Sequence, residues 1–441
     1  MNVVVAKTET DRALSDSFAV ARDRLPGTGK VVDLRRQAFE AYERTGLPNR
    51  RIEDWKYTDL RALMRELLPL APAPDAAALT RATAALKLHA IRTMRRLVLV
   101  DGVFAPTLSD TANLEKGLGI RTLREVLEAG DSALQAQLFT PDNSNPMVAL
   151  NSAMATDGLV IEIADGTVLT QPLHIVHIAS GTLPAAMYTR SLLRLGKDAG
   201  ATLVESYIAA DGAKTYQVHD SLIASIGDHS RLDHVRLVED NSDAFNISSA
   251  VVTVGAHAHF NTFGMVTGAS VSRYQPTIVV AGESSRVETN GVNLLNGKQH
   301  ADTTLFMDHA VPHGSSREIF RAVVDDRAHS VFQGRIIVRP KAQKTDAKMM
   351  TRALLLSDDA EADNKPELEI FADDVTCGHG ATTGALDDSL LFYLRARGLS
   401  EKEAQALLIQ AFAAEVVEAI GHEGVRDALM EAIVGWLGQR G

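Results

Sequence analysis

The chain has 441 residues, 45% of them apolar and only 5% aromatic, with a formal net charge of −11. That length suits two or three domains or one elongated body, and the acidic balance disfavours a nucleic-acid partner. No apolar run reaches the roughly eighteen residues of a membrane span, and a single cysteine excludes an internal disulfide framework.

The opening stretch MNVVVAKTETDRALSDSF carries acids early and lacks a basic region followed by a long apolar one. It reads as no secretory signal, so a cytoplasmic protein is expected. Residues 1–95 read as an N-terminal helical domain. In VDLRRQAFEAYERTG, Leu34, Phe39 and Tyr42 lie near helical spacing and Gly46 stops the run. RIEDWKYTDLRALMRELLPLAP continues in the same style until Pro72 and Pro74 break it. Its cluster Glu53, Asp54, Trp55, Lys56 and Tyr57 reads as a helix start anchored by Trp55. The upstream LPGTGKVV is not a nucleotide loop. Lys30 is followed by Val31 instead of Ser or Thr, and no glycine stands five positions before Gly29.

Residues 96–375 change texture. Short strand-like pieces such as LVIEIADGTVL, PLHIVHIAS and AVVTVGAHAHFNTFGMVTG alternate apolar and polar residues between Gly, Asp and Asn. No long helical pattern separates them, which argues against a βαβ fold. An apolar–Gly step recurs at Gly196, Gly227, Gly255 and Gly282, with intervals of 31, 28 and 27 residues. A period of that size signals a solenoid, and the expected body is a right-handed parallel β-helix with capped ends.

Residues 376–441 read as a C-terminal helical domain. DDSLLFYLRARG begins with acids and ends with Arg395, Arg397 and Gly398. Ser400 and Glu403 fit a capping box for the next helix, whose apolar stripe is assigned to Leu407, Leu408, Ala411, Phe412, Val416 and Ile420. A third helix carries Leu429, Ile433 and Trp436. The fold class is mainly β: a parallel β-helix flanked by helical domains.

Cys377 and His379 are the candidate metal ligands. At i and i+2 in a strand they project from one face and could reach one ion. Spacing alone leaves open a plainer reading, a buried thiol beside a hydrogen-bonded histidine. Structural zinc and most iron–sulfur clusters need about four protein ligands, so the remainder must come from distant groups or another chain. Twelve of the fourteen histidines lie between 174 and 379, and His257, His259, His309 and His313 are candidates, although a polar solenoid face would collect histidines without function. Glu367, Glu369, Asp373 and Asp374 suggest an alternative, a β-helix polysaccharide lyase or hydrolase using paired carboxylates. The scarcity of aromatic platforms and the lack of an export signal weigh against it.

The stretch QGRIIVRPKAQKTDAKMMTRALLLSDDAEADNKPELEIFADDVTCGHGATTG, residues 333–384, resembles the signature region of the SufB/SufD family. These are the non-ATPase subunits of the SUF iron–sulfur cluster assembly machine. NRRIEDWKYTDL, residues 49–60, resembles the Trp-Lys-Tyr-Thr segment of the SufD branch. Gly378 stands where the family often has serine, and AKMMTRALLLS is less polar than its common counterpart. The resemblance implies a non-catalytic scaffold that pairs with SufB through the β-helices and binds the SufC ATPase through the C-terminal helical domain. It implies Cys377 and His379 as shared ligands for iron or a nascent cluster at the SufB interface. No cofactor would be held stably by the isolated chain; iron or a cluster would be bound transiently in the complex. A homodimer is a further expectation for the isolated subunit.

Overall fold

In a computed structural model, the structure describes residues 9–65, 68–89, 91, 93–139 and 145–439. The first eight residues of the opening stretch MNVVVAKTETDRALSDSF lie outside them. Two sheets of ten and nine strands run face to face, and successive strands of each sheet come from successive turns of the chain. Every rung-to-rung pairing from strand Leu159–Ile163 onward is parallel; only the short pairings at the N-terminal end are antiparallel. The body is a parallel β-solenoid of about eight turns with helices at both ends of the chain.

The registers follow the alternation that the sequence carries. In the ten-stranded sheet one inward column runs Leu232, Phe260, Val287, Ser316, Ala347 and Cys377. Its apolar members belong to the interior core, together with Leu222, Ala250, Ile278 and Ile336 from the facing sheet. The glycine period has a steric cause. A Cβ on Gly227 would lie 2.6 Å from the carbonyl carbon of Gly196, and one on Gly282 would lie 1.8 Å from the Ala256 amide nitrogen. The chain turns a corner there with backbone stacked on backbone, which leaves no room for a side chain. Two residues on, the corner needs a left-handed residue. Asp198, His229, His257, Ser284, His313 and Lys344 have φ between 52° and 63°. Each donates its backbone N–H to a carbonyl of the next turn, as His257 does to Glu283 at 2.8 Å and His313 to Gln343 at 2.9 Å.

Helical segments cover the outward faces. Helices Glu401–Val417 and Glu423–Gln439 lay Ile409, Ala413, Val416, Leu429, Ile433 and Trp436 on Val235, Phe263, Val292 and Val323 of the ten-stranded sheet. The Ser400–Glu403 capping box is present. The second half of the expected stripe is buried, at Val416 and Ile420, but in the first half Ile409 and Ala413 face the sheet and Leu407 is exposed. A helix rich in Ala and Leu all round has little amphipathic bias, so the docking surface chooses the face.

Three further differences stand out. Helices Leu123–Ala129, Ser132–Phe139 and Pro146–Met154 fall within 96–375, where the sequence reading had only strands. All nine residues of Pro146–Met154 are buried, so no polar face marks it, whereas Leu123–Ala129 buries only Leu123, Val126 and Leu127 and starts at a Thr122–Glu125 capping box. Residues 376–384, assigned from sequence to the C-terminal helical domain, form the last solenoid strand, Thr376–Gly384, and helix begins only at Asp388. The segment after Arg51 is mostly turns, with short helical pieces Glu53–Trp55 and Leu60–Leu63. Its aromatic anchor is a dock onto the nine-stranded sheet. Trp55 is buried under the Arg273 guanidinium at 3.8 Å, and Arg273 donates to the Asp54 carbonyl at 2.6 Å. Arg273 also pairs with Asp302, which accepts from Thr58, while Thr58 reaches His300 at 2.8 Å.

Candidate metal-ligand site at the last turn

Strand Thr376–Gly384 is the end of the ten-stranded sheet, and Glu361–Ile370 is the end of the other. Each pairs on one side only. The two strands are largely exposed or half-buried, whereas the strands before them are mostly buried. The C-terminal end of the solenoid therefore presents two free strand edges, the kind of surface that templates further pairing.

Cys377 and His379 lie in this strand, in register with Ala347 and Met349, so their side chains share one face. Cys377 is half-buried and packs on the interior core. Burial raises its thiol above the ordinary value, opposed by the Ala347 N–H and assisted by Asp346. A metal would have to displace that proton, since the thiolate is the ligand. His379 is exposed. It ends an inward column that runs His234, Thr262, Thr289, Glu318, Met349, His379. Glu318, two turns below it, is fully buried without a hydrogen-bond partner, and burial pushes its carboxyl up to about 8.

A thiol and an imidazole are soft and borderline donors that suit iron or an iron–sulfur unit. Among the described residues, neither belongs to a group of three metal-ligating side chains. The other candidate histidines sit elsewhere. His257 and His313 are corner residues, and His257 stacks on His229 at 4.9 Å. Histidine tolerates the left-handed region better than most residues, which accounts for its recurrence there. His309 is buried, faces Ser316 at 3.1 Å and is lowered to about 4 by burial. His259 lies 3.8 Å from Glu288 and is lowered by burial. Of the proposed carboxylates, Glu367 and Glu369 flank Arg335, each at 3.4 Å, and Asp374 pairs with Lys344. They are neutralised in ion pairs, not opposed across a groove.

Residues 177–412 match the family described as SUF system FeS cluster assembly, SufBD core domain, and residues 18–175 match the SufBD protein N-terminal region. This chain belongs to the SufB/SufD family. It is 31% identical over 401 residues to the iron–sulfur cluster assembly protein SufD of Escherichia coli, covering 90% of this chain and 91% of that one. A SufBD family protein of Synechocystis is 29% identical over 97% of this chain and 96% of its own length. The SufD of Bacillus subtilis is 26% identical over 66% and 67% of the two chains. The SufBD core match spans the solenoid strands from the end of Leu173–Ala179 to the last one, so the free edges and the Cys377–His379 strand lie within it. The N-terminal match contains the Trp55 dock. The protein is thus a SufD-like member of the SUF iron–sulfur cluster assembly system. Among the described residues, no helix is long and apolar enough to cross a membrane.

Proposed function

We propose that this chain is a non-catalytic scaffold subunit of the cytoplasmic SUF assembly complex, pairing with SufB through the last solenoid turn and binding SufC through its C-terminal helices. Cys377 and His379 would then form part of a coordination sphere for iron or a nascent cluster, the cargo, with SufB supplying the rest. The observation that carries this reading is the coincidence of two donors, too few for a closed site, with two unpaired strand edges on the same turn. A partner strand added at that edge would both satisfy the backbone and bring ligands. An open shell also suits an assembly site, because a cluster held by four fixed ligands would be hard to pass on.

Helix Asp388–Ala396 supports the SufC assignment. It buries no residue and exposes Leu390, Phe392 and Tyr393, at 51, 75 and 55%. Three large apolar side chains exposed on one helix indicate a docking surface. Deleting residues 400–441 should abolish SufC co-purification, but it would also uncover Val235, Phe263 and Val292. Phe392→Asp with Leu390→Asp is the cleaner variant: the chain should fold normally and lose SufC, and retained SufC would refute the assignment. For the cargo, co-expression with the other SUF proteins followed by anaerobic iron analysis is decisive. His379→Ala should reduce iron or cluster content of the complex, and unchanged loading would remove the histidine from the site.

A further inference from the structure

The solenoid interior carries a second set of metal-ligating side chains. His177 on strand Leu173–Ala179, Glu205 on Gly200–Ala209 and Asp220 on Tyr216–Ile226 each offer one ligand atom, and these atoms lie within 4.8 Å of one another. Among the described residues this is the one such group. The three residues are 7, 2 and 3% exposed. His177 and Glu205 come from adjacent strands of the ten-stranded sheet, and Asp220 comes from the facing sheet. The Glu205 strand is the sixth beyond the terminal strand, roughly 29 Å away at the ~4.8 Å strand spacing, so these residues are no part of the Cys377–His379 turn.

The surroundings hold each candidate ligand in place. The His177 ring stacks on Tyr207 with centroids 4.5 Å apart, and its Nε2 is buried without a hydrogen-bond partner. Tyr207 donates its hydroxyl to Asp220 Oδ2 at 2.8 Å, and Thr189 donates to Oδ1. His234 Nε2 donates to Glu205 Oε2 at 2.8 Å, while its Nδ1 lies 2.9 Å from the Thr262 hydroxyl. Second groups that orient an imidazole or carboxylate in this way are the usual support of a metal centre. Two carboxylates share the buried space, and the adjacent cation, Arg236, is held between Tyr207 and Tyr274 and gives its Nη2 to Asn246 and Ser248.

We infer that His177, Glu205 and Asp220 form an internal binding site for one divalent first-row transition metal ion, with Tyr207 and His234 as positioning residues. One imidazole nitrogen and two carboxylate oxygens suit ferrous iron, zinc, manganese or cobalt, and the lack of a thiolate disfavours cuprous copper and clusters. Three protein ligands leave further positions for water.

The test uses the full chain carrying Cys377→Ser and His379→Ala, so that metal at the last turn is not counted. Chelator-treated protein is titrated with cobalt(II), both in the native state and by refolding with the metal. The expected result is one equivalent of cobalt per chain, ligand-field absorption bands and a raised Tm. His177→Phe, which keeps a ring on Tyr207, and Glu205→Gln should each weaken binding about tenfold or more and abolish the Tm rise. Circular dichroism of the metal-free variants separates loss of ligand from loss of fold. If the parent protein takes up no cobalt by either route, or if the folded variants bind as the parent does, the inference fails.

Discussion

Cys377 and His379 differ in what they can lose. His379 is exposed on a terminal strand, so His379→Ala should leave stability within about 0.5 kcal/mol of the parent while lowering cargo loading. Thermal unfolding and iron content, measured on the same preparation, check both halves. Buried histidines make the fold acid-sensitive. Burial holds His174, His300 and His309 near pKa values of about 4 and His219 near about 3, against an ordinary 6.5. Each stays neutral when folded and takes a proton on unfolding between those values. Their contribution is therefore complete above about pH 6.5 and is lost as the pH falls towards 4. Denaturant midpoints between pH 7 and 5 should fall accordingly. Glu318 acts with the opposite sign. Its carboxyl is raised to about 8, so the folded state prefers the protonated form and loses stability as pH rises from the ordinary 4.5 towards 8. Glu318→Gln should stabilise the protein at pH 8 and change little at pH 5. A variant no more stable than the parent at pH 8 would show that the acid has a partner there.

At the scale of the element, the corner column sets the corner histidines apart from the candidate ligand His379. His257→Gly should be nearly neutral, whereas His257→Val should cost roughly 1–2 kcal/mol, because only the backbone conformation matters there. If His257→Gly destabilised as much as His257→Val, the imidazole would have a role beyond the turn. Gly282→Ala should cost at the upper end of the roughly 1–3 kcal/mol of overpacking, because its Cβ meets backbone of the previous turn. The Trp55 dock is held by a fully buried pair. Asp302→Ala would strand Arg273 without its charge partner and should cost roughly 3–5 kcal/mol. Urea denaturation of each variant measures these differences. Chain order made the corner visible through its glycine period. Helix Pro146–Met154 was not visible, because a short helix buried all round carries no 3.6-residue alternation, whereas Leu123–Ala129 did leave a signal, the Thr122–Glu125 capping box.

For the whole molecule, the two ends of the solenoid are treated differently. The N-terminal end is closed by antiparallel strand pairings and helices, while the C-terminal end leaves Ile370 and Phe371 exposed beside two free edges. Ile370→Asp with Phe371→Asp should leave the monomer folded and reduce co-purification with SufB; undiminished pairing would move the interface elsewhere. Light scattering of the isolated chain tests whether the same edges support a homodimer, which the double variant should then dissociate.

The sequence by itself determined the solenoid and the family, because a parallel β-helix repeats its steric demands every turn. Gly227, Gly255 and Gly282 repeat for lack of room, and the strands between them alternate because one face is core. It also determined that Cys377 and His379 share a face, since strand geometry has a period of two. Only the tertiary structure decided that this strand ends the sheet, that Ile409 instead of Leu407 meets the core, and that His177, Glu205 and Asp220 converge. Those facts depend on which turn stacks on which and on side chains meeting across two sheets, and residues brought together by stacking leave no spacing rule along the chain.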